Sequence, residues 1–244
     1  MGVESHIVAM GGGGFSMEPD NPLLDDFVLE LVRRSPPRVC FVPTASADSA
    51  EYLVKFYRAF AARGCIPTVV TFFDPPALPR RPASVEALAP FILEQDVIYV
   101  GGGNTANLLA VWRAQGFDRV LREAWERGVV LCGVSAGMNC WFEASLSDSL
   151  GSLHALRDGL GLLAGSACPH YDSEAGRRPR FRELVAADLP DGYAADDGAA
   201  LHFAGERLVE AVSSRATARA YRVERAAAGV VETEISTRYL GSTS

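Results

Sequence analysis

Gly133-Val134-Ser135-Ala136-Gly137 is a G-x-S-x-G pentapeptide placed directly after an apolar run, Val129 to Val134. A serine hydroxyl serves as a nucleophile when a sharp turn lifts it clear of the backbone and small neighbours admit a base and a substrate. An N–H must also face the oxygen on which charge develops, and here the Ala136 N–H is the candidate oxyanion donor. The same five residues suit an ordinary turn, since Gly and Ser favour turns. The strand-like run before them favours a nucleophile elbow.

A second glycine-rich segment, Gly101-Gly102-Gly103-Asn104-Thr105, follows another apolar run, Val97 to Val100. Such a loop presents backbone N–H groups to a bound group, and the Gly103 N–H is a candidate second oxyanion donor. It also suits a tight strand-to-helix turn with Asn104 or Thr105 as the helix N-cap. A serine needs a base, and the chain offers four histidines, His6, His154, His170 and His202. His6 and His202 fall at or inside strand-like runs and read as packing or surface residues. His154 sits in a Ser/Gly/Asp-rich stretch. His170 is the stronger candidate, because Cys168-Pro169-His170-Tyr171-Asp172 closes a small-residue apolar segment as a rigid loop.

A carboxylate must then orient the imidazole, and Asp196-Asp197-Gly198 offers two. Adjacent residues of an extended chain point to opposite sides, so at most one can face the histidine; a turn with a solvated Asp196 is the alternative. Arg177, Arg178, Arg180 and Arg182 form a basic cluster suited either to a substrate carboxylate or to a solvated helix start. Gly11 to Gly14 fails as a dinucleotide fingerprint, because Ser16 and Met17 stand where its third glycine belongs. The histidines are scattered and no CxxC occurs, so neither metal nor cofactor is expected.

Positioning these groups requires a fold, and 244 residues suffice for one α/β domain over 1–244. The hydrophobic share of 48% and charged share of 22% suit a soluble globular chain. A net charge of −7 disfavours nucleic acid as a partner. No apolar run approaches the roughly 20 residues of a membrane span. The N-terminal residues lack the order of a secretory signal, and His6 breaks the myristoylation pattern. Five cysteines without paired spacing suggest free thiols and a cytoplasmic location.

Short β-rich runs alternate with amphipathic stretches, which predicts a largely parallel, doubly wound sheet with helices on both faces. Strands are expected at His6 to Met10, Arg38 to Pro43, Thr68 to Phe73, Val97 to Val100 and Val129 to Val134. Helices are expected at about 22–34, after Asp48 or Ser49, at 84–95, 105–114, 117–127 and 180–187. A proline-rich loop is expected over 74–82. Short strands near 199–203, 208–212, 220–223 and 230–235 predict antiparallel pairing towards the C-terminus, the last two as a hairpin.

Taken in order, VIYVGGGNT at 97–105, GVSAGMN at 133–139, PHYD at 169–172, RFREL at 180–184 and DDG at 196–198 resemble the peptidase E (aspartyl dipeptidase) family of serine peptidases. That family has the class I glutamine amidotransferase-like architecture, with cyanophycinase as a more distant relative. The resemblance implies Ser135 as nucleophile, His170 as general base, and Gly103 and Ala136 as oxyanion donors. It also implies Asn104 and Arg177 as substrate contacts, a small peptide substrate and a homodimer. Asp197 stands where the best-known members carry a glutamate before a glycine. Amidotransferases of this fold carry cysteine at the elbow, so Ser135 argues against glutamine hydrolysis. The stretch from His170 to Arg177 is shorter than the loop of the Asp-X dipeptidases. Hydrolysis of another small amide or isopeptide, and ligand binding without turnover, are the alternative functions.

Overall fold

Alternating apolar residues that must be covered on both sides dictate the layers of this molecule. In the first strand Ile7 and Ala9 face one core cluster while Val8 and Met10 face the other. The same division separates Cys40 and Val42 from Val39 and Phe41, and Ile98 and Val100 from Val97 and Tyr99. Successive side chains of a strand point to opposite faces, so a strand apolar throughout needs helices above and below.

The computed structural model describes residues 4–73, 85–227 and 229–241. Its first half runs β1 (His6–Met10), α1 (Gly14–Met17), α2 (Leu23–Glu30), β2 (Arg38–Val42), α3 (Ala50–Ala62) and β3 (Ile66–Val69). It continues with α4 (Val85–Leu93), β4 (Val97–Val100), α5 (Thr105–Gln115), α6 (Phe117–Glu126), β5 (Val130–Val134) and α7 (Ala136–Asn139). The second half holds β6 (Phe142–Ser147), β7 (His154–Leu156), β8 (Leu163–Cys168), α8 (Arg177–Ala187) and β9 (Gly192–Ala195). It ends in β10 (Ala199–Ala204), β11 (Arg207–Ser213), β12 (Ala220–Ala226), β13 (Gly229–Ile235) and β14 (Thr237–Tyr239).

The larger sheet has eight strands in the order β14-β11-β10-β1-β5-β4-β2-β3. From β1 to β3 every pairing is parallel, so β1, β4 and β5 all end on one edge. β10 and β11 add antiparallel strands beside β1. A second sheet of six strands follows the order β13-β12-β9-β8-β6-β7, in which β6, β8 and β9 are parallel. The expected hairpin is β12 and β13.

The helices bury the stripes their spacing predicts. Leu53, Phe56 and Phe60 of α3 face the sheet, and Phe41 stacks on Phe56 with ring centroids 4.9 Å apart. Each such side chain, once buried, contributes about 1.5–3 kcal/mol. One core cluster extends from Ile7 and Leu131 of the larger sheet to Phe142, Leu163 and Ala167 of the smaller. Among the described residues no helix is long and apolar enough to cross a membrane.

Some boundaries differ from the sequence reading. α2 ends at Glu30 rather than Arg34, and Pro22 itself is the N-cap. The third strand is Ile66–Val69, earlier than expected. Asp48 Oδ2 accepts the N–H groups of Phe72 and Phe73, which takes those residues out of the ladder. The proline-rich loop lies almost wholly outside the described residues. The second sheet was not foreseen as a separate layer.

Candidate active site

Ser135 follows β5 with φ 59° and ψ −110°, a conformation that L-residues rarely adopt. Such strain persists only where the surroundings enforce it. Here the Ser135 N–H donates to Met10 O at 3.1 Å, and the Ser135 carbonyl accepts from Met138 and Asn139 at 2.9 and 3.0 Å. The flanking glycines are sterically required. A Cβ on Gly133 would stand 2.5 Å from Gly137 O, and one on Gly137 would stand 2.4 Å from Val100 O. The pentapeptide is therefore the sharp strand-to-helix turn that its spacing predicts. The Ala136 N–H opens α7 and has no partner among the described residues.

The loop after β4 approaches from the adjacent strand. A Cβ on Gly102 would lie 3.3 Å from Ser135 Cβ, so this glycine packs directly on the serine. The Gly102 N–H donates to the Tyr52 hydroxyl at 3.2 Å. Gly103 is exposed, with φ 136°, and its N–H has no partner among the described residues. Asn104 caps α5, its Oδ1 accepting from the Asn107 N–H at 2.9 Å. Its Nδ2 donates to Ser149 O at 2.9 Å, so the side chain is committed to structure.

The second sheet supplies the remaining groups. β8 and β9 are parallel neighbours, so their carboxyl ends bring His170 and Asp197 to the same edge. His170 is buried, with φ 54°, and its N–H donates to Gly11 O at 3.2 Å. Its Nδ1 lies 2.6 Å from Asp197 Oδ1. Burial pushes the Asp197 carboxyl up, but hydrogen bonds from His170 and Ser173 and the charges of His170 and Arg215 outweigh it and hold the carboxyl below its ordinary range. An ionised Asp197 accepts, so Nδ1 carries the proton and Nε2 is left as an acceptor. The Asp197 N–H in turn donates to Asp172 Oδ1 at 2.9 Å.

Asp196 points the other way, and its Oδ2 accepts from the Arg219 N–H at 2.9 Å. It is buried rather than solvated, and that burial raises its carboxyl to about 6. The alternation of an extended chain separates the two carboxylates as expected.

Ser135 and His170 line one cavity of about 330 Å³, with Gly102, Val134 and Tyr52. No hydrogen bond joins the Ser135 hydroxyl to the ring. Arg177 does not line the cavity. It is buried, bonded to Glu174 and 3.6 Å from Asp148, where it ties the loop after His170 to the turn after β6. Arg178 lies between Tyr171 and Tyr221 and pairs with Glu232, which also receives Arg182. His154 is on β7, its Nδ1 2.7 Å from Ser152 O. His6 and His202 meet each other at 3.1 Å, at the opposite end of β1 from the site.

Sequence reasoning missed Tyr52, Gly11 and Gly12. Gly12 passes beside Asp197, and Gly11 accepts from the His170 N–H. The signal was the glycine run after β1, which fails the dinucleotide fingerprint yet still permits a close backbone approach. Among the described residues no group of three or more metal-ligating side chains occurs.

Comparison with known proteins gives consistent results. A model of peptidase family S51 matches residues 7–211. The chain is 51% identical over 236 residues to the uncharacterized peptidase YgaJ of Bacillus subtilis (strain 168), covering 96% of this chain and 99% of the relative. It is 28% identical over 198 residues to peptidase E of Pasteurella multocida (strain Pm70), covering 76% and 78% of the two chains. Its fold matches the crystal structure of a peptidase from an acI-B1 actinobacterium with a TM-score of 0.69, at 17% identity, over 97% of this chain and 96% of that one.

Proposed function

Because the chain belongs to peptidase family S51, we propose that it is a serine peptidase acting on small peptides through Ser135, His170 and Asp197. One observation carries the reading. The 2.6 Å bond between His170 and Asp197 fixes the imidazole, and the ring shares a cavity with a serine held in a strained elbow.

In this mechanism His170 Nε2 takes the Ser135 proton as the hydroxyl oxygen attacks the scissile carbonyl carbon. The resulting oxyanion accepts from the Ala136 N–H and from the Gly103 N–H, the Gly102 N–H being already donated to Tyr52. Asp197 stabilises the imidazolium without taking its proton. His170 then protonates the leaving amine, and a water activated by the same ring releases the acyl group from Ser135. A cavity of about 330 Å³ suits a dipeptide-sized ligand. The five buried, unpaired cysteines fit a reducing cytoplasm.

The test is labelling of the native enzyme by a fluorophosphonate, with turnover of a dipeptide panel by wild type and Ser135→Ala. Modification at Ser135 and loss of turnover in the variant are expected. An unmodified Ser135, or a variant as active as wild type, would sink the reading. A second reading is favoured by the position of Arg177. Arg177 lies outside the cavity lining and is tied to Glu174 and Asp148, which disfavours its selecting Asp-X dipeptides, and another small amide or isopeptide is the alternative substrate. Isoaspartyl, aspartyl and neutral dipeptides in one panel separate the two.

A further inference from the structure

The cavity beside Ser135 has a wall built by α3, and that wall carries charge. Glu51 and Lys55 both line it, one helical turn apart, with Lys55 Nζ 2.9 Å from Glu51 Oε1. Lys55 is the only lysine among the 23 lysines and arginines of the chain. Among the described residues it is also the only lysine or arginine lining this cavity.

The arginines near the His170 loop are already engaged. Arg177 pairs with Glu174 and Asp148, Arg178 and Arg182 with Glu232, and Arg215 with Glu18. Lys55 differs from them in its partner and in its chemistry. Its partner Glu51 has a side chain 79% exposed, whereas the Glu232 and Glu18 that hold Arg178, Arg182 and Arg215 are 8% and 9% exposed, and Arg177 is itself buried. An ion pair so open to water is screened and contributes little net stability, so exchanging Glu51 for another carboxylate carries little penalty. A lysine is also a compact charge on a flexible stem, able to swing between partners where an arginine fork holds a fixed bidentate geometry.

We propose that Lys55 is a specificity-determining residue that binds a carboxylate of the substrate, with Glu51 holding the ammonium when the cavity is empty. The proposal rests on Ser135 being the reacting centre of the same cavity. The carboxylate has two sources in a small peptide, an acidic side chain on the acyl side or the free C-terminus of the leaving amino acid. A C-terminal carboxylate docked on Lys55 while the scissile carbonyl lies at Ser135 confines the enzyme to short peptides; an acyl-side carboxylate docked there selects an acidic residue next to the scissile bond.

The experiment is calorimetric titration of Ser135→Ala, which binds without turnover, with Asp-Leu, Asp-Leu-amide, Ala-Leu and Ala-Leu-amide. Each titration is repeated with Lys55→Met, Lys55→Arg and Glu51→Gln added to the Ser135→Ala chain. Carboxylate-bearing members are expected to bind more tightly than Ala-Leu-amide, and Lys55→Met to weaken them about tenfold or more. Lys55→Arg should recover most of the loss, and Glu51→Gln, by removing the competitor, should tighten binding. A loss on Asp-Leu-amide assigns the acyl-side carboxylate; a loss on Ala-Leu assigns the C-terminus. The proposal is overturned if no carboxylate peptide binds, if Lys55→Met leaves affinities unchanged, or if Glu51→Gln weakens binding as Lys55→Met does, which would mark the pair as merely structural. Failure of the serine-hydrolase reading is seen separately, as absent fluorophosphonate labelling of wild-type Ser135.

Discussion

Gly12 lies so close to Asp197 that a Cβ on residue 12 would stand 2.0 Å from Asp197 Oδ1, the oxygen that meets His170. The backbone of this glycine tract forms the floor on which the His170–Asp197 pair rests. Gly12→Ala must therefore displace the carboxylate, because the neighbouring Gly12–Asp197 bridge holds the two chains together. The expected outcome is a folded protein whose kcat falls at least about a hundredfold, since small misplacements of catalytic groups cost that much. Circular dichroism with steady-state kinetics checks it, and a fully active, folded Gly12→Ala would contradict the geometry.

Asp197→Asn tests the role of the charge separately from that of the shape. The amide keeps the size of the carboxylate but favours the wrong histidine tautomer. In a triad of this kind kcat is expected to drop by about four orders of magnitude. Asp196→Asn serves as the contrast, because its carboxylate bonds the Arg219 N–H instead. Equal losses in the two variants would mean that Asp197 has no special part.

Asp25 predicts a pH dependence of stability. Its carboxyl is fully buried, and that burial, with a smaller push from Asp26, raises it to about 7 against the opposing pull of Arg63 and Tyr99. The unfolded chain releases this proton near 3.8, the folded chain near 7. Between those values the native state binds the extra proton, so stability is full below about 4, falls through the interval and levels off above about 7. The slope from this one group approaches about 1.4 kcal/mol per pH unit. Asp25→Asn removes it while Arg63 keeps Asp26 at 2.8 Å. Thermal melts should therefore find the variant more stable than wild type at pH 8, with the difference shrinking towards pH 5; parallel curves would refute this.

The thiols give a simpler test. All five cysteines are free and buried, and burial pushes the Cys40 thiol up to about 12 and raises the Cys132, Cys140 and Cys168 thiols as well. A thiolate is the reactive form, so the native protein should react slowly with an aromatic disulfide reagent and release all five equivalents only when unfolded. A fast equivalent in the native state would show that one of these sites opens.

The larger sheet was legible because β1, β2 and β4 are apolar runs ended by Gly or Pro, and β5 is one that runs into the Ser135 turn. The second sheet was not. Leu163–Cys168 reads LAGSAC and Gly192–Ala195 reads GYAA, and such small residues carry neither strand propensity nor alternation. These strands form because neighbouring chain presses against them, which a local reading cannot register. The same limit applies to the site. Ser135, His170 and Asp197 could be named from motif and resemblance. The Asn104 cap could also be named, since it bonds a residue only three positions on, whereas the pairing of Arg177 with Asp148 and the burial of Asp196 depend on chain segments distant in sequence.

The serine is carried by one hydrogen-bonded ladder, and the histidine and aspartate by another. On the proposed mechanism, the His170–Asp197 pair is assembled as a unit on adjacent strands and must meet the elbow of the neighbouring ladder before it can act on Ser135. On that reading catalytic competence is a property of registration between two subassemblies, as in a lock whose bolt and keeper sit on two frames joined at the Gly12–Asp197 bridge. A change far from the cavity that shifts one frame against the other would silence the chemistry while leaving every part of it intact.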